Sequence, residues 1–128
     1  MKTTIEVPYI HVVQTKDLKW MINGALTQNL NCWIDDYKRE LPEGLTDFLC
    51  GENHTSAHLI LDHGGSVLIT EVDNPIPLVL NFDAVERGLK LMADKFPQHF
   101  HDFVHENDDA ETADVLLQCC LFGDIKYS

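Results

Sequence analysis

The sequence predicts an α+β fold: a small antiparallel sheet packed against a long N-terminal helix and C-terminal helices. Three observations predict it. Apolar residues recur at helical spacing from Leu18 to Leu41, two β-rich runs flank His63-Gly64-Gly65, and the chain after Asp83 carries three apolar stripes with capping signals. The chain has 128 residues, of which 45% are apolar and 9% aromatic, so collapse is expected and disorder is excluded as the main state. A chain of this size buries roughly two-thirds of its unfolded surface, enough for one core without metal or disulfide staples. Residues 1–128 are therefore expected to form a single domain.

The alternation of Thr3, Ile5 and Val7, followed by Ile10-His11-Val12-Val13, reads as a strand, with Pro8 marking an edge or a bulge. Thr15 is placed to cap a helix from about Lys16 to Leu41, with Leu18, Ile22, Leu26, Leu30, Trp33, Ile34, Tyr37 and Leu41 on one side and its tryptophans as core anchors. Pro42 and Gly44 end it. Residues 42–56 mix Pro, Gly, Asp, Glu, Asn and Thr and read as loop, with a short turn around Thr46-Asp47-Phe48-Leu49. Ala57–Asp62 and Ser66–Val72, joined by His63-Gly64-Gly65, read as a hairpin. Asp73-Asn74-Pro75 breaks it, and Ile76–Asn81 reads as a short extended segment kept from a central position by its prolines.

Asp83 and Glu86 have capping-box spacing ahead of a helix whose stripe is Val85, Leu89, Met92 and Phe96. Pro97 suits the first turn of a second helix, with Phe100, Phe103 and Val104 facing inward. Asn107-Asp108-Asp109 ends that helix, and Asp108 with Glu111 caps a third through Val115, Leu116, Cys119 and Phe122, stopped by Gly123. The alternating tail Asp124–Tyr127 is expected to return as a strand. No internal repeat and no linker divides the chain.

Charge narrows the function. Twenty-one acidic residues against nine basic ones give a net charge of −12. Phosphate binding needs clustered Lys and Arg, so direct contact with nucleic acid or an anionic membrane is not expected. No stretch approaches the roughly 18 apolar residues of a membrane span, and the first residues lack a signal peptide's apolar run, so a cytoplasmic protein is expected. Between Phe96 and Ile125 lie Asp102, Glu106, Asp108, Asp109, Glu111, Asp114 and Asp124, without a single Lys or Arg. The bland account of this run is a solvated helix face, and the functional account is an electronegative patch for a basic partner.

Cys32, Cys50, Cys119 and Cys120 contain no C-x-x-C pair, and in a reducing compartment they stay free thiols. Cys119-Cys120, inside an apolar run, reads as two small core residues. For the same reason the sequon at Asn53 carries no glycan. Cys50, His54, His58 and His63 follow one another with spacers of three, three and four residues, a zinc-like donor series that matches no known finger. His101 and His105 share a helix face at i, i+4, where two imidazoles can hold one metal. The Glu of H-E-x-x-H is missing between them, so metalloprotease chemistry is not supported. No nucleophile elbow, phosphate loop or dinucleotide fingerprint is present, and no cofactor is implied.

The run FDAVERGLKLMADKFPQHFHDFVHENDDAETADVLLQCCLFGDIKYS, above all DDAETADV and LFGDIKYS, resembles small acidic proteins encoded by bacteriophages and prophages. The likeness covers the C-terminal third, with a weaker match in Leu59–Val72. It implies a phage-type accessory protein in a host cytoplasm, binding a host protein, and brings no catalytic residues. The expected function is non-enzymatic: Asp102, Glu106, Asp108, Asp109, Glu111 and Asp114 occupy a basic surface of a host protein that otherwise takes nucleic acid. The alternatives are a small zinc-binding protein or hydrolase using His101 and His105 or the Cys50, His54, His58 group, and a structural homodimer.

Overall fold

The computed structural model describes residues 4–7, 11–27, 33–42, 55–105 and 110–127. These form an α+β fold of five helices and two small antiparallel sheets. Strands β1 (Thr4–Val7) and β2 (His11–Gln14) pair with each other in a sheet of their own, Ile5 opposite Val13. The expected single N-terminal strand is thus a two-stranded ribbon, separate from the other sheet. Helix α1 (Thr15–Thr27) follows β2 directly and buries Leu18, Met21, Ile22, Ala25 and Leu26.

The predicted helix to Leu41 is corrected here. The helix spans Thr15–Thr27, and Ile34–Glu40 forms strand β3. Strand β4 (Ser66–Glu71) lies between β3 and β5 (Leu78–Leu80), and its alternation buries Val67, Ile69 and Glu71. Such a strand needs a backbone partner along its whole length, and β5 pairs only with Val67, Leu68 and Ile69. β3 supplies the rest, from Ile34 opposite Glu71 to Glu40 opposite Ser66, with a register irregularity between Ile34 and Asp36. The spacing of Trp33, Ile34 and Tyr37 fits a helix, yet the ladder overrides it. Trp33 is buried as expected, whereas Trp20 is 79% exposed on the outer side of α1.

The predicted hairpin is the second correction. Ser56–His63 is helix α2, and the glycines that follow are its C-terminal cap. Gly64 has φ +71°, the left-handed conformation that ends a helix, and the Gly65 N–H donates to the Leu59 carbonyl at 2.9 Å, turning the chain back over the last turn. A short apolar run bounded by glycine is equally a buried strand or a buried helix in sequence. What decides is Asn23 of α1, whose Oδ1 accepts from the Ala57 N–H and whose Nδ2 donates to Thr55 Oγ1, both at 3.0 Å. The helix start is capped by a side chain 34 positions away.

The C-terminal third follows its pattern closely. Helix α3 (Phe82–Lys95) buries Ala84, Val85, Gly88, Leu89 and Met92. Its cap is Asn81, whose Oδ1 accepts from the Ala84 N–H at 2.9 Å, in place of the expected Asp83. Helix α4 (Pro97–Val104) begins at proline and buries Phe103. Helix α5 (Ala110–Phe122) carries the innermost surface, Val115, Leu116, Leu117, Gln118, Cys119 and Cys120, and ends at Gly123 with φ +73°. The core lies where α1, α2, α3 and α5 meet one another and the inner face of β4 and β5, with α2 against β4 and α3 and α5 against β5. Among the described residues, no helix is long and apolar enough to cross a membrane.

Candidate functional site

The acidic run is bracketed by α4 and α5, with Glu106, Asp108 and Asp109 outside the described residues. Glu111 is exposed in the first turn of α5, where a carboxylate also complements the helix dipole. Asp102 is half-buried and accepts from Gln98 Nε2 at 3.3 Å. Asp114 turns inward. Its Oδ1 accepts from Trp33 Nε1 at 2.9 Å and its Oδ2 from Gln118 Nε2 at 2.8 Å, so this carboxylate is committed to the core edge. Among the described residues the predicted acids therefore do not share one direction: Asp114 belongs to the interior network, and Glu111 to the surface.

That network was not expected from the sequence. Glu71 takes the third inward position of β4, after Val67 and Ile69, and is only 3% exposed. The chain end satisfies it: Lys126 Nζ donates to Oε2 at 2.8 Å, the Tyr127 hydroxyl donates to the same oxygen, and Asn74 Nδ2 donates to Oε1 at 3.2 Å. The Lys126 bond, then the Tyr127 bond, hold the Glu71 carboxyl below its ordinary range, against the opposing effect of burial. The bond to Glu71 pushes both Lys126 and Tyr127 upward.

Gln118, fully buried on α5, completes the hold. Its Oε1 accepts from the backbone N–H groups of Lys126 and Tyr127, both at 2.8 Å, and its Nε2 donates to the Tyr127 carbonyl at 2.9 Å. Two tail amides and a carbonyl thus find partners without a sheet, which corrects the expected final strand. The Tyr127 ring stacks on Trp33 with centroids 5.4 Å apart and planes 6° from parallel, while Phe122 meets both rings at an angle. Two signals in the sequence point to this network: Glu71 falls on the apolar phase of its strand, and Gln118 interrupts an otherwise apolar run.

The remaining candidates separate. Cys50 and His54 lie outside the described residues, as does the side chain of His58. His63 is exposed at the end of α2, not in a hairpin turn. His99 Nδ1 lies 3.2 Å from Thr112 Oγ1 and ties α4 to α5. His101 and His105 do come together: their rings stack with centroids 4.0 Å apart. Among the described residues no group of three or more His, Cys, Asp or Glu side chains is arranged around one metal position.

Cys119 and Cys120 line a cleft of about 320 Å³ with Arg87, Leu91, Leu121 and Gly123. Burial pushes the Cys119 thiol up to about 11 and the Cys120 thiol further still. Both are therefore thiols at neutral pH, and a thiol is neither a nucleophile nor a good metal ligand.

Comparison with protein-family models, curated proteins and solved structures finds no match to this chain.

Proposed function

We propose that the protein is a non-enzymatic binding protein that offers carboxylates of its C-terminal third to a basic surface of a partner protein. The observation that carries this reading is the run of seven acids between Phe96 and Ile125 with no Lys or Arg among them. Of the two lysines that flank the run, Lys95 lies 4.0 Å from Asp124, the last acid of the run, and Lys126 is bonded to Glu71 outside it. Asp102, Glu106, Asp108, Asp109 and Glu111 are left to set the local field, with Asp114 withdrawn as a contact. The resemblance to phage-encoded proteins makes the partner a host protein in the host cytoplasm, and the mechanism is competition for a surface that otherwise takes nucleic acid.

The test is capture from a bacterial lysate at about 0.1 M and about 1 M salt, where the Debye length falls from roughly 10 to 3 Å. The wild-type chain is compared with a variant carrying Asp108→Asn, Asp109→Asn and Glu111→Gln, its fold checked by circular dichroism. The expected result is one protein with a basic surface, captured at low salt, released at high salt and recovered poorly by the variant. Equal recovery by both chains at both salt concentrations would overturn the reading.

A further inference from the structure

We propose that His101 and His105 form a surface site for one divalent transition-metal ion of the zinc, nickel and copper group. His101 sits in the last turn of α4 and His105 is its C-terminal cap residue, so helical spacing brings the imidazoles to one side. Their rings stack 24° from parallel at a centroid separation of 4.0 Å, so one ring must turn before both in-plane lone pairs meet at one metal, and the His101 side chain, 60% exposed, is free of the packing that would prevent it.

The hydrogen bonding of His105 fixes the chemistry. Its Nδ1 lies 2.9 Å from the His101 carbonyl oxygen, which can only accept, so Nδ1 carries a proton and, in the neutral ring, Nε2 holds the lone pair. Metal-binding imidazoles are commonly prepared in this way, one nitrogen donating to a carbonyl while the other ligates. The backbone N–H of His105 donates to the same carbonyl, which holds the residue against the helix end. Beside them, Asp102 Oδ1 is 4.0 Å from His101 Nδ1 and adds negative charge.

Imidazole is a preferred donor for zinc, nickel and copper, and an acidic surround concentrates cations near it. Two protein donors leave the other coordination positions to water or to an outside donor, so the site is open and weaker than a four-ligand structural zinc site. Bound metal would bridge one helical turn and staple the C-terminal end of α4.

The test is calorimetric titration of the tag-free full chain with zinc ion alone, repeated with His101→Ala, His105→Ala and, as control, His63→Ala. One zinc is expected per chain, with at least a tenfold loss of affinity in each of the first two variants and none in the control. Amide exchange should also slow at residues 101–105 on adding zinc. If His105→Ala loses the last turn of α4 by circular dichroism, the exposed His101→Ala decides alone. Undiminished binding in His101→Ala, or no binding up to millimolar zinc, overturns the proposal.

Discussion

Gly88→Ala tests the packing on which the C-terminal third is built. A methyl group at position 88 would stand 2.4 Å from Cys120 Sγ and 2.6 Å from Cys120 Cα and N. The thiol could rotate away, but two backbone atoms of α5 cannot, so α3 and α5 must move apart along an interface that buries Leu89, Met92, Leu116 and Cys120. Two effects oppose each other. Alanine in a helix interior is favoured over glycine by about 1 kcal/mol, which alone would stabilise the protein. Overpacking of a close contact costs about 1–3 kcal/mol or more, and contact with rigid backbone puts this site at or beyond the upper end. The expected net loss is about 2 kcal/mol, or roughly 6–10 °C in Tm for a domain of this size. Urea unfolding followed by circular dichroism measures it. Adding Cys120→Ala removes only the sulfur and should restore less than half of the loss. A Gly88→Ala protein as stable as the wild type, or more stable, would refute the close approach of the two helices.

The pH dependence of the tail follows from the signs of its shifts. Glu71 is depressed, so its hold is complete above the ordinary carboxyl value of 4.5 and fails only as pH falls through its lower folded value. Lys126 and Tyr127 are raised from 10.5 and 10.0, so their contributions are complete below those values and fail as pH rises through the folded ones. Trp33 fluorescence in a Trp20→Phe background should therefore stay flat between about pH 5 and 9, whereas a tail transition centred at or above pH 4.5 on the acid side would contradict the geometry. For the cysteines, iodoacetamide at about pH 8 should leave Cys119 and Cys120 unmodified in the native protein and label both in guanidinium, as read by peptide mass spectrometry. Labelling of native Cys119 within minutes would refute its burial.

Legibility in the sequence tracks how local the deciding interactions are. Pro97 at the start of α4, Gly123 at the end of α5 and the stripe Val85, Leu89, Met92 are all found as their residues predict, because each rule acts within one or two turns. The run Ala57–Asp62 failed for the opposite reason. Ala57, Leu59, Ile60 and Leu61 are all buried, so its apolar residues show no single face, and the Gly64-Gly65 pair serves a helix end as readily as a hairpin. Ile34–Glu40 failed because β4 needed a partner, a demand placed by residues some thirty positions later. At the candidate site, the i, i+4 pairing of His101 and His105 was legible, whereas the inward turn of Asp114 was not, since it depends on Trp33 and Gln118.

By itself the sequence determined the α+β class, the three C-terminal helices, the strong negative charge and the absence of a basic stretch after Phe96, since composition and short-range periodicity are properties of the chain alone. Only the tertiary structure decided that Asn23 caps α2, that Gly88 lies against Cys120, and that Glu71 and Gln118 hold the chain's own end. Those contacts join residues far apart in the chain, and a buried donor or acceptor shows its partner only after the backbone has brought the two within hydrogen-bonding distance.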